Sequence, residues 1–237
     1  MSLIRSAVIT LATLALCSSC TESGKGFVNT EQRALNRTFD KVDVSDGLSV
    51  SIVNGDQRVA VTTDDNLLNN VVTDIDGDTL KIRLAHNEDI KPTVLQIDVS
   101  MPALRGLKVN GYSTVNAQAT QAEDWHLDVD SKSHATVNNI GAGNLYADVT
   151  DQSSAEITGQ ANYLSVDCHD KSALNADGLT AIKAKIDASG ESQVNVNVTN
   201  EIEVDSGSNS RIFISGNPPS RNIDAKNGST VVFNTPQ

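Results

Sequence analysis

Ser113-Thr114-Val115-Asn116-Ala117, Ser133-His134-Ala135-Thr136-Val137 and Ser153-Ser154-Ala155-Glu156-Ile157 repeat one pattern at intervals of 20 residues. The pattern returns around Leu174, Val194, Ile212 and Val231, at spacings of 19, 20, 18 and 19. Two residues after these seven reference positions stand Ala117, Val137, Ile157, Ala176, Val196, Ile214 and Phe233. Eight residues before them stand Leu107, Leu127, Ala147, Val166, Ile186, Val204 and Ile223. No polar residue enters the three columns. Around them apolar and polar residues alternate with period two, as in strands with one buried face. A unit of about 19 residues is too short to bury that face alone, so units must stack, with equivalent positions about 4.8 Å apart. No segment sustains a 3.6 period, which argues against a helical solenoid. The prediction is an all-β protein: a single-stranded right-handed parallel β-helix with coils of about 18–20 residues, seven of them over residues 107–237.

A serine precedes each reference position by two residues: Ser113, Ser133, Ser153, Ser172, Ser192, Ser210 and Ser229. This column shares the parity of the apolar ones, so it is expected to point inward beside a corner, each hydroxyl bonding its neighbour's. Two residues earlier stand Gly111, Ser131, Asp151, Asp170, Gly190, Ser208 and Asn227, types that tolerate the left-handed backbone of a sharp turn. Seven equivalent serines with no histidine consistently beside them do not read as a catalytic set.

Upstream, the organisation changes. Arg5 and the apolar run Ala7 to Leu16 read as a signal peptide over residues 1–19, the run being too short to cross a bilayer. Small residues directly before Cys20 make it the expected lipidation site, which would anchor an exported bacterial protein to a membrane of the cell envelope, the outer membrane being the expected place. Residues 20–35 read as a flexible tether, and residues 36–106 as a less regular β part of the same solenoid, since Val42-Asp43-Val44 and Leu48 to Ile52 repeat its phase. Asn66 to Ile75 alone carries a weak helical pattern.

Arg37-Thr38-Phe39-Asp40-Lys41-Val42, Asp65-Asn66-Leu67-Leu68 and Gly77-Asp78-Thr79-Leu80-Lys81-Ile82, followed by corners such as Ser189-Gly190-Glu191-Ser192, resemble the bacterial family described as a putative auto-transporter adhesin, head GIN domain. The likeness covers about residues 36–233. It implies a β-helical surface or periplasmic domain and brings no catalytic residues with it.

Chemistry is concentrated in one outward column. Seven residues before each reference position lie Lys108, Asp128, Asp148, Asp167, Asp187, Asp205 and Asp224, with Asp43 at the same phase upstream. Unit charges about 4.8 Å apart repel by roughly 1 kcal/mol even in water. The six aspartates therefore need an offset. Divalent cations, calcium first, are one candidate; a solvated face that keeps the sheet soluble is the other. No cofactor is otherwise indicated. His86, His126, His134 and His169 fall at unrelated repeat positions and read as surface residues, and Trp125 is expected at a coil edge, with glycan contact as its alternative. Cys168 has no partner cysteine within the predicted domain. A net charge of −12 disfavours nucleic acid, and 3% aromatic residues disfavour a glycan-stacking platform.

The expected function is a non-enzymatic, adhesin-like or structural module of the cell envelope that presents an acidic face to a glycan, another envelope protein or a cation. A polysaccharide lyase or hydrolase is the enzymatic alternative; repeats varying only between 18 and 20 residues leave no room for the loops that build a cleft. A self-assembling scaffold, joined through the open ends of the solenoid, is a third reading, and the oligomeric state stays open.

Overall fold

The computed structural model describes residues 21–85 and 89–234. The signal peptide, Cys20 and His86 lie outside the described residues.

The repeat forms the expected parallel β-solenoid. Its strands are β10 (Gly106–Val109), β11 (Thr114–Gln118), β12 (Gln121–Val129), β13 (His134–Val149), β14 (Ser154–Cys168), β15 (Ala173–Ala188), β16 (Gln193–Ser206), β17 (Arg211–Ser215), β18 (Ser220–Ala225) and β19 (Thr230–Phe233). Val115 stacks on Ala135, and the column continues through Ala155, Leu174, Val194 and Ile212 to Val231. On the neighbouring side Leu107 leads through Leu127, Ala147, Val166, Ile186 and Val204 to Ile223. The seven rungs wind through about six turns. Register is strict because a one-residue slip would turn every apolar side chain outward.

Between these two sides the chain turns on a pair of left-handed residues. Ser131 and Lys132 have φ of 57° and 62°, Asp151 and Gln152 55° and 63°, Asp170 and Lys171 56° and 66°. Side-chain-bearing residues pay about 1–2 kcal/mol each for that conformation. The corner persists because the ladder runs straight through it. Lys132 N–H donates to the Asp151 carbonyl at 3.0 Å, Gln152 N–H to Asp170 at 3.0 Å, and Lys171 N–H to Gly190 at 2.8 Å. The serines that follow are buried, except Ser229 in the last rung. Their hydroxyls do not form the expected hydroxyl chain through the stack. The backbone N–H groups of Ser113, Ser133 and Ser153 donate instead to the Oγ atoms of Ser133, Ser153 and Ser172, at 3.2, 3.1 and 3.3 Å. Parallel stacking sets each hydroxyl against the neighbouring rung's main chain. At the last rung the Ser206 hydroxyl donates to the Ser229 hydroxyl at 3.1 Å.

The N-terminal part joins the same stack. Its strands are β1 (Thr21–Ser23), β2 (Val28–Gln32), β3 (Lys41–Val44), β4 (Ser49–Asn54), β5 (Arg58–Asp64), β6 (Val71–Asp76), β7 (Thr79–Leu84), β8 (Asp89–Lys91) and β9 (Leu95–Met101). Val42 sits on Leu107 and Val50 on Val115, so β3 and β4 form a further rung, with β7 and β9 parallel beyond them. The parallel ladder stops there: β5 runs antiparallel to β9, β6 to β7 and β2 to β5. A 3-10 helix, Asp65–Asn70, buries Leu67 and Leu68 against this end. The Arg33 guanidinium donates to the carbonyls of Leu68 and Val71 at 2.6 and 3.1 Å. Helix stops at Asn70 because β-branched Val71 and Val72 pair with β7 as strand.

Two expectations are corrected. The segment expected as a tether over residues 20–35 is not free of structure: β1 pairs with β8, and β2 extends the cap. The Asp64 carboxylate, wholly buried, ties the segment down by accepting from Gly26 N–H at 2.6 Å, Thr93 N–H at 2.7 Å and the Thr93 hydroxyl at 3.0 Å. These are backbone contacts of a polar stretch, which leave no hydrophobic period to read. The glycan contact held open for Trp125 is the second. That side chain is fully buried, its indole N–H donating to the Leu104 carbonyl at 2.6 Å, and is out of reach of a glycan.

Candidate functional site

The outward aspartates come together through register. Asp43 stacks on Lys108, then Asp128, Asp148, Asp167, Asp187, Asp205 and Asp224, and from Asp43 to Asp187 each stands between two buried apolar neighbours. Such neighbours leave the carboxylates no direction but outward.

Lysine or histidine side chains meet the ladder at three places. At its N-terminal end Lys108 Nζ lies 2.5 Å from Asp128 and 3.5 Å from Asp130. Midway, His169 Nε2 meets the Asp167 carboxylate while its Nδ1 lies 2.6 Å from the Ser189 hydroxyl. At the last rung Lys226 pairs with Asp224. Between these points the strain shows in Asp148: partial burial first, then the charges of Asp167 and Asp128, hold its carboxyl above the usual 3.8. Asp43 is raised too, by burial, against the opposing pull of Lys108 and Lys81. The hydrogen bond to Asp128 raises the Lys108 ammonium. Asp187 and Asp205 make no ion pair among the described residues.

Beside the ladder runs a second outward row. His126 and Tyr146 stack there with centroids 4.9 Å apart, and Lys185 pairs with Glu203 at 3.3 Å. Gly106 interrupts this row between Lys41 and His126, leaving a hollow of about 350 Å³ bordered by Lys81, Lys108 and Asp128. Neither the ring pair nor the hollow carries a signal in the sequence, because no single repeat contains either.

The aspartates lie along a line, whereas calcium takes six to eight oxygens around a point. Among the described residues no group of three or more His, Cys, Asp or Glu side chains is placed to hold a metal ion. His126 and His134 are exposed and His169 is partly covered, as expected of surface residues. Cys168 points into the core, where burial pushes its thiol up to about 12.

A parallel β-solenoid closed at its N-terminal end and carrying an outward acidic ladder is the class this geometry defines. The chain belongs to the family described as putative auto-transporter adhesin, head GIN domain, whose model matches residues 38–218. Solved structures share the fold. A putative adhesin from Bacteroides fragilis superposes with a TM-score of 0.79 at 14% identity, over 90% of this chain and 99% of that one. A putative lipid binding protein from Parabacteroides distasonis gives 0.69 at 18% identity, over 92% and 100%. A putative adhesin from Parabacteroides merdae gives 0.68 at 15% identity, over 90% and 99%. No curated protein matches the chain.

Proposed function

We propose that this protein is a non-catalytic binding module of the bacterial cell envelope, anchored by a lipid on Cys20 and working through the acidic side of its solenoid. The observation that carries the reading is the ladder from Asp128 to Asp224, six carboxylates in register on one face, of which Asp187 and Asp205 make no ion pair among the described residues. Like charges held in a row are relieved by a partner bearing repeated positive groups, so a basic polypeptide segment is the partner the face fits. The family description and the adhesin relatives support a binding role.

The test is capture of a lysine-rich peptide by the chain, against an acidic control, at rising salt. Binding that weakens with salt and falls with Asp187→Asn plus Asp205→Asn is expected; binding indifferent to both would overturn the reading. Lipidation is tested separately by metabolic labelling with a fatty acid, which Cys20→Ala abolishes. Turnover of any member of a panel of acidic polysaccharides would replace the binding module by an enzyme.

A further inference from the structure

The two ends of the solenoid differ. At the N-terminal end antiparallel strands and the 3-10 helix cover the last parallel rung, and Leu80 and Ile82 of β7 are fully buried. At the other end, among the described residues, no strand pairs on the far side of β18 or β19. Ile223, which continues the buried column of Leu107 and Val204, is 36% exposed there, as is Val232. Phe233 is only partly buried against the core, and the Arg221 guanidinium lies 3.9 Å from the centre of its ring.

We propose that this end is a self-association surface at which two copies of the chain pair tail to tail through β18. The direction of its backbone groups makes the pairing specific. Lys226 N–H donates inward to the Ser206 carbonyl, so by strand alternation Arg221, Ile223 and Ala225 turn their N–H and C=O groups to the open side. A two-fold axis at Ile223 then sets Ile223 opposite Ile223 of the second copy, and Arg221 opposite Ala225 at either flank. These are all hydrogen-bonded pairs, about six bonds in all. The same register closes the apolar column with an isoleucine pair. It also places the Asp224 carboxylate beside the Asn222 amide and not beside another aspartate, so the ladder ends without a further repulsion. Parallel, head-to-tail addition would need an open parallel rung at the N-terminal end, and that rung is taken by the cap. The assembly is therefore a closed dimer and not a filament.

This surface meets the acidic side only at Asp224, the last carboxylate of the ladder, and does not depend on what that side binds. The end of a rod is small, so association is expected in the roughly 10–100 μM range. The experiment is sedimentation equilibrium of the full exported chain carrying Cys20→Ser, so that no lipid drives association, across that range. A monomer–dimer equilibrium is expected. Ala225→Pro removes an N–H that the monomer leaves unpaired and should weaken the dimer at least tenfold without lowering the melting temperature of the monomer. Asn222→Asp, facing Asp224, should weaken it several-fold in low salt, and Asn222→Lys should strengthen it by a similar factor. A single monomeric species throughout, growth beyond the dimer, or three variants that associate like the parent would each overturn the proposal.

Discussion

Lys108 holds its ammonium 2.5 Å from the Asp128 carboxylate, in the position where the stack would otherwise place another aspartate between Asp43 and Asp128. One cation thereby interrupts the ladder at its N-terminal end and faces carboxylates on two neighbouring rungs. Lys108→Asp removes the cation and adds a like charge directly opposite both. A loss of about 1–2 kcal/mol is expected, read as a lower urea midpoint with unchanged slope and shrinking as salt is added.

Asp148 gives the ladder a pH signature. Its folded carboxyl is raised above 3.8 by burial and by Asp167 and Asp128, so the native state binds this proton more readily than the unfolded chain does. Its contribution is most favourable at low pH and declines as pH rises through that window. Asp148→Asn should therefore stabilise the protein at pH 7, by about 0.5 kcal/mol after screening. The gain should vanish near pH 3.5, as thermal melts at the two pH values would show.

Asp64 has the opposite sign. Bonds from Thr93 N–H first, and then from Gly26 N–H and the Thr93 hydroxyl, hold its carboxyl below 3.8. Its stabilisation is complete above that value and is lost as pH falls through the lower folded value. Acid should accordingly loosen the cap before the coils. Asp64→Asn should reproduce that at neutral pH, seen as faster hydrogen exchange in β1 and β2 with protection of β13 to β16 retained.

The serine stack predicts a packing effect with no charge in it. Ser113 N–H donates to the Ser133 hydroxyl at 3.2 Å in a buried corner. Ser133→Ala leaves that donor without its acceptor, and about 1–2 kcal/mol of stability is expected to go with it. Ser133→Thr retains the hydroxyl but forces a methyl into the corner, so it should not restore the wild-type melting temperature.

Local pattern was enough for the coils. A period-two alternation repeated every 18–20 residues has one solution, because only stacking removes so narrow an apolar face from water. The acidic ladder could be read from Asp128 to Asp224 for the same reason: in-register stacking converts equal phase into adjacency. What offsets the ladder could not. His169 reaches Asp167 and Lys226 reaches Asp224 from positions just past the strand column, and Gly106 opens its hollow only because Lys41 and His126 lie on rungs above and below it.

The sequence by itself determined the solenoid, its register, the inward serines and the outward carboxylates, since each is a property of one repeat multiplied. The tertiary structure alone decided how the solenoid ends. Residues 55–101 leave the stack and return outside β3 and β4, so the N-terminal end closes on antiparallel strands, on the Arg33 contacts to Leu68 and Val71, and on the Asp64 bonds that fix a polar leader. The C-terminal end leaves Ile223 at the surface. Those outcomes depend on contacts between distant segments that occur once and repeat nowhere, and a repeat pattern holds no information about where it stops.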